Sequence, residues 1–261
     1  MTDVATHPCT EMEEPSLTLL WGTWELWCDL PPLSGAAESG GSWLDQVKSI
    51  GLFDSAEGFW GLFNCTLLPS QLPPNGSYYL FRKHIAPMWE HEANRRGGRW
   101  VMTFTVPAPS EATPHSSEGE EEALLPVDLA WQRMCLAAIG ELFPCAEEEL
   151  CGITISRGKP RSGTGHAEIK LNVWTRTATD EETQLRIAKF IKSTLASELQ
   201  DASLEARSPT TPERDFTPTQ TILQPKTICY MAHREVIEAK QQYSKGTMGG
   251  GMRSFKPKYV A

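Results

Sequence analysis

Residues 87–100 read Pro-Met-Trp-Glu-His-Glu-Ala-Asn-Arg-Arg-Gly-Gly-Arg-Trp, which sets Trp89 directly beside Glu90 with Arg95, Arg96 and Arg99 behind them. An aromatic plane next to a fixed carboxylate suits a flat, cationic ring that donates hydrogen bonds. The ring gains a cation–π contact, and its N–H edge meets a charged acceptor. Arginines a few residues on suit a phosphate attached to that ring. This stretch therefore points to recognition of a modified guanine base by Trp89 and Glu90.

Other chemistry is poorly represented. There is no G-x-S-x-G and no H-E-x-x-H, and no Cys/His nucleophile context. His91 stands between Glu90 and Glu92, but the remaining histidines are scattered at 7, 84, 115, 166 and 233. Seven cysteines, at 9, 28, 65, 135, 145, 151 and 229, form no C-x-x-C pair. They read as reduced thiols and predict neither a disulfide framework nor a zinc site. The chain reads as a binding protein without metal or cofactor, not an enzyme. Its net charge of −9 argues against a general nucleic-acid binder while allowing a local basic pocket. No apolar run approaches ~18 residues and no signal-like segment opens the chain, so neither a membrane span nor secretion is expected.

Nine tryptophans are more than a core of this size needs, so those outside a packing stripe are candidate ligand or partner residues. Trp43 follows a Pro/Gly/Ser-rich loop. Trp60 falls about 100° from the apolar stripe Phe59, Leu62 and Phe63 of a short helix and should face solvent. The loop 158–165, Gly-Lys-Pro-Arg-Ser-Gly-Thr-Gly, is basic but lacks the G-K-[ST] of a phosphate-binding P-loop.

The elements that must hold these residues follow from periodicity. Strands are predicted at 17–28, 47–53, 78–83, 99–106, 151–157, 167–175, 226–233 and 254–260. In the first, Gly22, Trp24, Leu26 and Cys28 share one face. Helices are predicted from Asp54 or Ser55 to about 67, and from 126 to 143 with the stripe Val127, Trp131, Met134, Ala138 and Leu142. A third runs from a Thr179/Glu182 capping box to about 199, burying Leu185, Ala188, Ile191 and Leu195. Strands that follow one another directly indicate an α+β fold with an antiparallel sheet. Residues 1–16 read as a flexible acidic tail before a single domain at 17–261, with insertions near 29–42, 107–123, 158–167 and 200–224.

Taken together, Trp43 after a loop, Glu57-Gly-Phe-Trp60, Pro87-Met-Trp-Glu, Arg-Gly-Gly-Arg-Trp100, Cys151-Gly and the spacing Arg157…Lys170…Trp174 resemble the eukaryotic translation initiation factor 4E family. The resemblance covers about residues 17–261. It implies a single curved antiparallel sheet of about eight strands backed by three helices, with a slot for the 7-methylguanosine cap of messenger RNA on the concave side. It also implies that Trp43 and Trp89 sandwich the methylated base, and that Glu90 accepts the guanine N1–H and N2–H pair. Trp174 would touch the N7 methyl. Arg157 and Lys170 would hold the phosphates, supported by Arg99 and, from the longer loop, by Lys159. Arg95 and Arg96 read as a solvated turn, and Trp100 as core.

On the other face the resemblance implies that a helical peptide from an initiation scaffold or a repressor docks at Trp60, with Leu136 and Gly140 matching the family pattern. Thr18-Leu19 stands where the family has His-Pro, Ala56 where it has valine and Gln132 where it has leucine. The implied function is recruitment of capped messenger RNA to the translation initiation machinery by a cytoplasmic, also nuclear, monomer. The alternative is a cap-binding repressor or storage isoform with a different partner.

Overall fold

Side-chain alternation along the strands sorts this chain into two faces, one packed and one open. The computed structural model describes residues 16–31, 47–107, 124–160, 165–196, 225–244 and 256–261. Trp43, the tail at 1–15 and most of the expected insertions lie outside them. Eight strands form one sheet: β1 (Leu19–Asp29), β2 (Lys48–Ser55), β3 (Ser77–Arg82), β4 (Gly98–Pro107), β5 (Leu150–Arg157), β6 (His166–Thr175), β7 (Thr227–Ala232) and β8 (Tyr259–Val260). Their order is β2-β1-β3-β5-β6-β4-β7-β8, and every neighbouring pair is antiparallel.

Three helices cover one face: α1 (Ala56–Phe63), α2 (Pro126–Ile139) and α3 (Glu181–Ala196). Between them and the sheet lies one apolar core that includes Trp24, Leu26, Leu80, Trp100, Met102, Trp131, Met134, Ile153, Ile155, Leu171, Val173, Ile187 and Ile191. Trp24, Leu26 and Cys28 of β1 point into it as the alternation requires. Trp100 is fully buried there.

The helix ends differ from the sequence reading for local reasons. Ser55 caps α1, its Oγ accepting the Gly58 N–H at 3.1 Å, and the helix stops at Phe63 instead of running on to 67. Helix α2 ends at Ile139, because Gly140 closes it and Glu141 takes a positive φ of 53°. Leu142 therefore leaves the predicted stripe and is exposed. Asp180, not Thr179, caps α3 by accepting the Thr183 N–H at 3.1 Å. In α3 the buried position goes to Gln184 and not to Leu185, which faces solvent. The Gln184 amide is completely satisfied. Its oxygen accepts from Trp100 Nε1 at 3.1 Å and Thr175 Oγ1 at 3.3 Å. Its nitrogen donates to Glu149 Oε1 at 3.0 Å and to the Thr177 carbonyl at 3.1 Å. Four bonds remove the penalty of burying a polar group, so the polar residue can take the inward position.

A fourth helix, α4 (His233–Ser244), begins where the sequence suggested the end of a strand, and the last strand shrinks to Tyr259–Val260. Helix α4 lies on the open face, where Val236 joins sheet residues in lining a cavity.

Candidate functional site

The open face holds a cavity of about 810 Å³. The register arranges its floor in three rows, because side chains two apart on a strand share a face. The first row runs Trp174–Arg99–Met231, the second Thr154–Asn172–Val101–Cys229, and the third Ser156–Lys170–Thr103–Thr227. Tyr79 and Ser77 of β3 extend the second and third rows. From the Trp174 row to the Lys170 row is four residues of β6, roughly 13 Å. Trp89 and Glu90 form a wall at the Trp174 end.

Trp89 is held in place by the loop that carries it. Asn94, fully buried, donates from Nδ2 to the carbonyls of Ala86 at 3.0 Å and Met88 at 2.8 Å, fixing the backbone just ahead of Trp89. The carbonyl of Asn94 in turn accepts from His233 Nδ1 at 2.9 Å, so the proton of that imidazole sits on Nδ1. The His233 ring lies 4.4 Å from the Trp174 ring and 6.5 Å from Trp89, stacked against the latter. Burial pushes the His233 pKa down to about 4; the bond to Asn94 opposes this and the charge of Arg99 adds to it. A neutral imidazole thus buttresses both indoles. A second small core of Phe81, Ala93, Cys151 and Trp174 supports the same end, with Trp89 packed on its edge.

Two glycines permit this packing. A side chain at Gly97 would meet the Thr175 carbonyl oxygen at 1.8 Å, so the loop could not return to the sheet beside β6. One at Gly152 would meet the Phe81 ring at 2.5 Å. The Gly-Gly and Cys-Gly motifs are therefore demands of close approach.

Arg99 sits against both tryptophans, its guanidinium carbon 5.7 Å from the Trp89 centroid and 5.6 Å from that of Trp174. Burial lowers its pKa from the ordinary arginine value. Trp174 is buried, and its indole N–H reaches Thr154 Oγ1 at 3.4 Å. Glu90 and Lys170 are exposed at the cavity, at opposite ends of its length. The cavity thus offers an aromatic wall and a carboxylate at one end and a cation at the other.

Arg157 is a correction. It does not line the cavity. It pairs with Ile169, a core residue, and lies on the helix face, 1% exposed. There its guanidinium donates to the carbonyl of Ser70. The reason is parity: Thr154 and Ser156 face the cavity, so the next residue must face away. Lys159 is exposed just past β5 and is also outside the cavity lining. Arg95 and Arg96 are exposed, Arg95 within 3.7 Å of Glu92, and neither lines the cavity. Sequence reasoning missed Thr154, Ser156, Asn172, Asn94 and His233. The first three could have been found by extending the alternation from Lys170 and Trp174 across the neighbouring strand. Asn94 and His233 act through backbone carbonyls, which leave no sequence signal.

On the helix face, Trp60, Phe63, Leu67, Leu68, Trp131 and Gln132 line a groove of about 240 Å³. Trp60 is half-buried, edge-on to Phe59 and Phe63 with centroids at 5.0 and 5.7 Å. Gln132 and Leu136 of α2 and its capping residue Gly140 fall at intervals of four, and Leu136 and Gly140 are exposed. Among the described residues no helix is long and apolar enough to cross a membrane.

Residues 19–245 match the family model described as eukaryotic initiation factor 4E. A curated relative, eukaryotic translation initiation factor 4E of Dictyostelium discoideum, is 32% identical over 176 residues, 67% of this chain and 59% of the relative. The protein of the same name from Eremothecium gossypii is 35% identical over 167 residues, 64% of this chain and 66% of the relative. The match thus spans about three fifths of the Dictyostelium relative's length. Among solved structures, the complex of Ascaris suum eIF4E-3 with m2,2,7G cap is 25% identical with a TM-score of 0.57, covering 94% of this chain and 98% of that one. The complex of C. elegans eIF4E-3 with the 4E-binding protein Mextli shares the fold at 23% identity and a TM-score of 0.56, covering 85% and 96%.

Proposed function

Because this chain belongs to the eukaryotic initiation factor 4E family, we propose that it binds the 7-methylguanosine 5′ cap of messenger RNA and brings it to the translation initiation machinery. One observation carries this reading. A single cavity gathers Trp89, Glu90 and Arg99, from one stretch that runs into β4, with Lys170 and Trp174 of β6, about 70 residues away in sequence. Methylation at N7 makes guanine cationic, and a cationic ring stacked on an indole gains both dispersion and a charge–quadrupole term. Glu90 accepts the N1–H and N2–H pair, a contact that adenine cannot supply. Trp43 covers the second face of the base, and Trp174 meets the methyl group. Lys170 and Arg99 serve the phosphates.

The groove at Trp60 is the docking site for a helical peptide of a scaffold protein, with Leu136 and Gly140 continuing the contact along α2. The Mextli complex of the C. elegans protein supports an interaction of this general kind. The second reading, a cap-binding repressor or storage isoform, draws on Gln132, which puts a polar side chain into that groove and favours a partner with a matching polar group. Both readings place the protein in the cytoplasm as a monomer.

The test is retention on a resin carrying 7-methylguanosine triphosphate, eluted with the methylated or the unmethylated nucleotide. Trp89→Ala and Trp43→Ala should each lower affinity roughly tenfold or more, since stacking contributes about 1–3 kcal/mol per aromatic. Undiminished binding by either folded variant would falsify the sandwich. Identification of the proteins retained by wild type and by Trp60→Ala then separates scaffold from repressor.

A further inference from the structure

We infer that Thr154 and Asn172 donate neutral hydrogen bonds to the first phosphate of the bound cap, in the stretch of floor from which Arg157 is absent. This rests on the cap reading above and assigns residues within it. Thr154 and Asn172 are cross-strand partners in the middle row of the cavity. They are 4% and 7% exposed, buried enough that their polar atoms must be used by the protein or by a ligand.

The hydrogen bonds fix which atoms remain. Asn172 Nδ2 donates to Thr154 Oγ1 at 2.8 Å, and Trp174 Nε1 donates to the same oxygen at 3.4 Å. A hydroxyl accepts through two lone pairs and donates one proton. With both lone pairs engaged, the Thr154 proton is the part left to give, and the second N–H of the Asn172 amide is also uncommitted to Thr154. Two donors are therefore set side by side. They lie between the Trp174 row, which meets the methyl group of the base, and the Lys170 row, one step of two residues from each. In a nucleotide with a phosphate chain, the first phosphate follows the sugar and precedes the phosphates that a distant lysine can reach. A hydroxyl and an amide also suit sugar hydroxyls, and the probes below separate the two.

Recognition of the first phosphate by neutral donors has a measurable signature, because neutral donors release no counterion, whereas a lysine does. The experiment is tryptophan-fluorescence titration of the full chain with 7-methylguanosine and its mono-, di- and triphosphate at several salt concentrations. Thr154→Val keeps shape and removes both the hydroxyl donor and the oxygen that accepts from Asn172 and Trp174; Thr154→Ser restores both. Thr154→Val should weaken the mono-, di- and triphosphate by a similar factor of roughly tenfold, the scale of one hydrogen bond to a charged group. It should weaken the nucleoside, through the lost Trp174 contact, clearly less than the nucleotides and leave the salt slope unchanged, and Thr154→Ser should recover most of the loss. Lys170→Met should instead spare the monophosphate, weaken the longer chains and flatten the salt dependence. Equal loss on nucleoside and nucleotides overturns the assignment and makes the pair a support for Trp174 or a sugar contact. So does no loss on any probe. A wild-type protein that binds none of the series removes the cap reading itself, an outcome distinct from both.

Discussion

Replacing Arg157 by methionine should cost stability and spare cap binding, the reverse of what the family resemblance implies for a phosphate ligand. The guanidinium is buried on the helix face and donates to the Ser70 carbonyl. Ser70 in turn is bound twice by Asp128, its N–H donating to Oδ1 and its hydroxyl to Oδ2, both at 2.8 Å. Asp128 also accepts the Leu125 N–H at 3.2 Å at the start of α2. Arg157 thus joins β5 to the end of the helix that carries Trp131. Methionine keeps the apolar stem but orphans a partly buried carbonyl, which costs up to about 1–3 kcal/mol. Release from burying a charged group offsets part of that. A net loss of about 2 kcal/mol corresponds to a fall of about 4–8 °C in melting temperature for a chain of this size. The assays are a thermal melt and a titration with 7-methylguanosine triphosphate well below the transition. An unchanged melt with a tenfold weaker titration would refute the placement of Arg157 and the strand parity behind it.

Trp60→Ala should abolish binding of a helical scaffold peptide measured by calorimetry, by about 2 kcal/mol or more as for an interface anchor, and leave cap affinity unchanged; retained peptide binding would remove the groove as the docking site. His233 makes stability fall with acid. Its pKa is about 4 in the folded chain against an ordinary value near 6.5, so the unfolded chain takes up the proton first. The contribution is complete above about pH 6.5 and is lost progressively as pH falls toward 4, to a total of at most about 3 kcal/mol. Urea midpoints measured at pH 7, 5.5 and 4.5 should show this slope, and His233→Phe should reduce it; an equal slope in that variant would place the proton uptake elsewhere.

Much of the candidate cavity was legible because its residues are of unusual type at fixed spacing. Trp89-Glu90, the Arg99 after two glycines, and Lys170 with Trp174 on one strand face could be read without coordinates, and all five line one cavity. Arg157 was misread through a single-residue offset. Reading by motif matched an arginine near the end of β5, whereas reading by alternation from Thr154 would have put it on the core side. Gln184 illustrates a different limit. Hydrophobicity prefers Leu185 as the buried residue of α3, and only the distant partners Trp100, Glu149 and Thr175 make the amide cheaper to bury. Helix α4 was invisible because few of its residues are apolar, and its first residue is fixed by backbone carbonyls of another segment, the His233 N–H reaching Gly97 at 3.0 Å.

The one-residue interleaving of the two faces also limits how such a protein can diverge. Trp174 faces the cavity while Val173 faces core, and Arg99 faces the cavity while Trp100 faces core. Substitution can retune the cavity one side chain at a time and leave the core untouched. An insertion or deletion inside a strand exchanges the two sets at once, putting charge into the core and apolar groups into the cleft. Length variation is therefore confined to the joints. In this chain the longest stretches between elements fall between β1 and β2, between β4 and α2, and between α3 and β7, with shorter ones between β3 and β4 and between α4 and β8. The strands set a fixed frame for recognition, and the joints are where a new partner or regulator can be added.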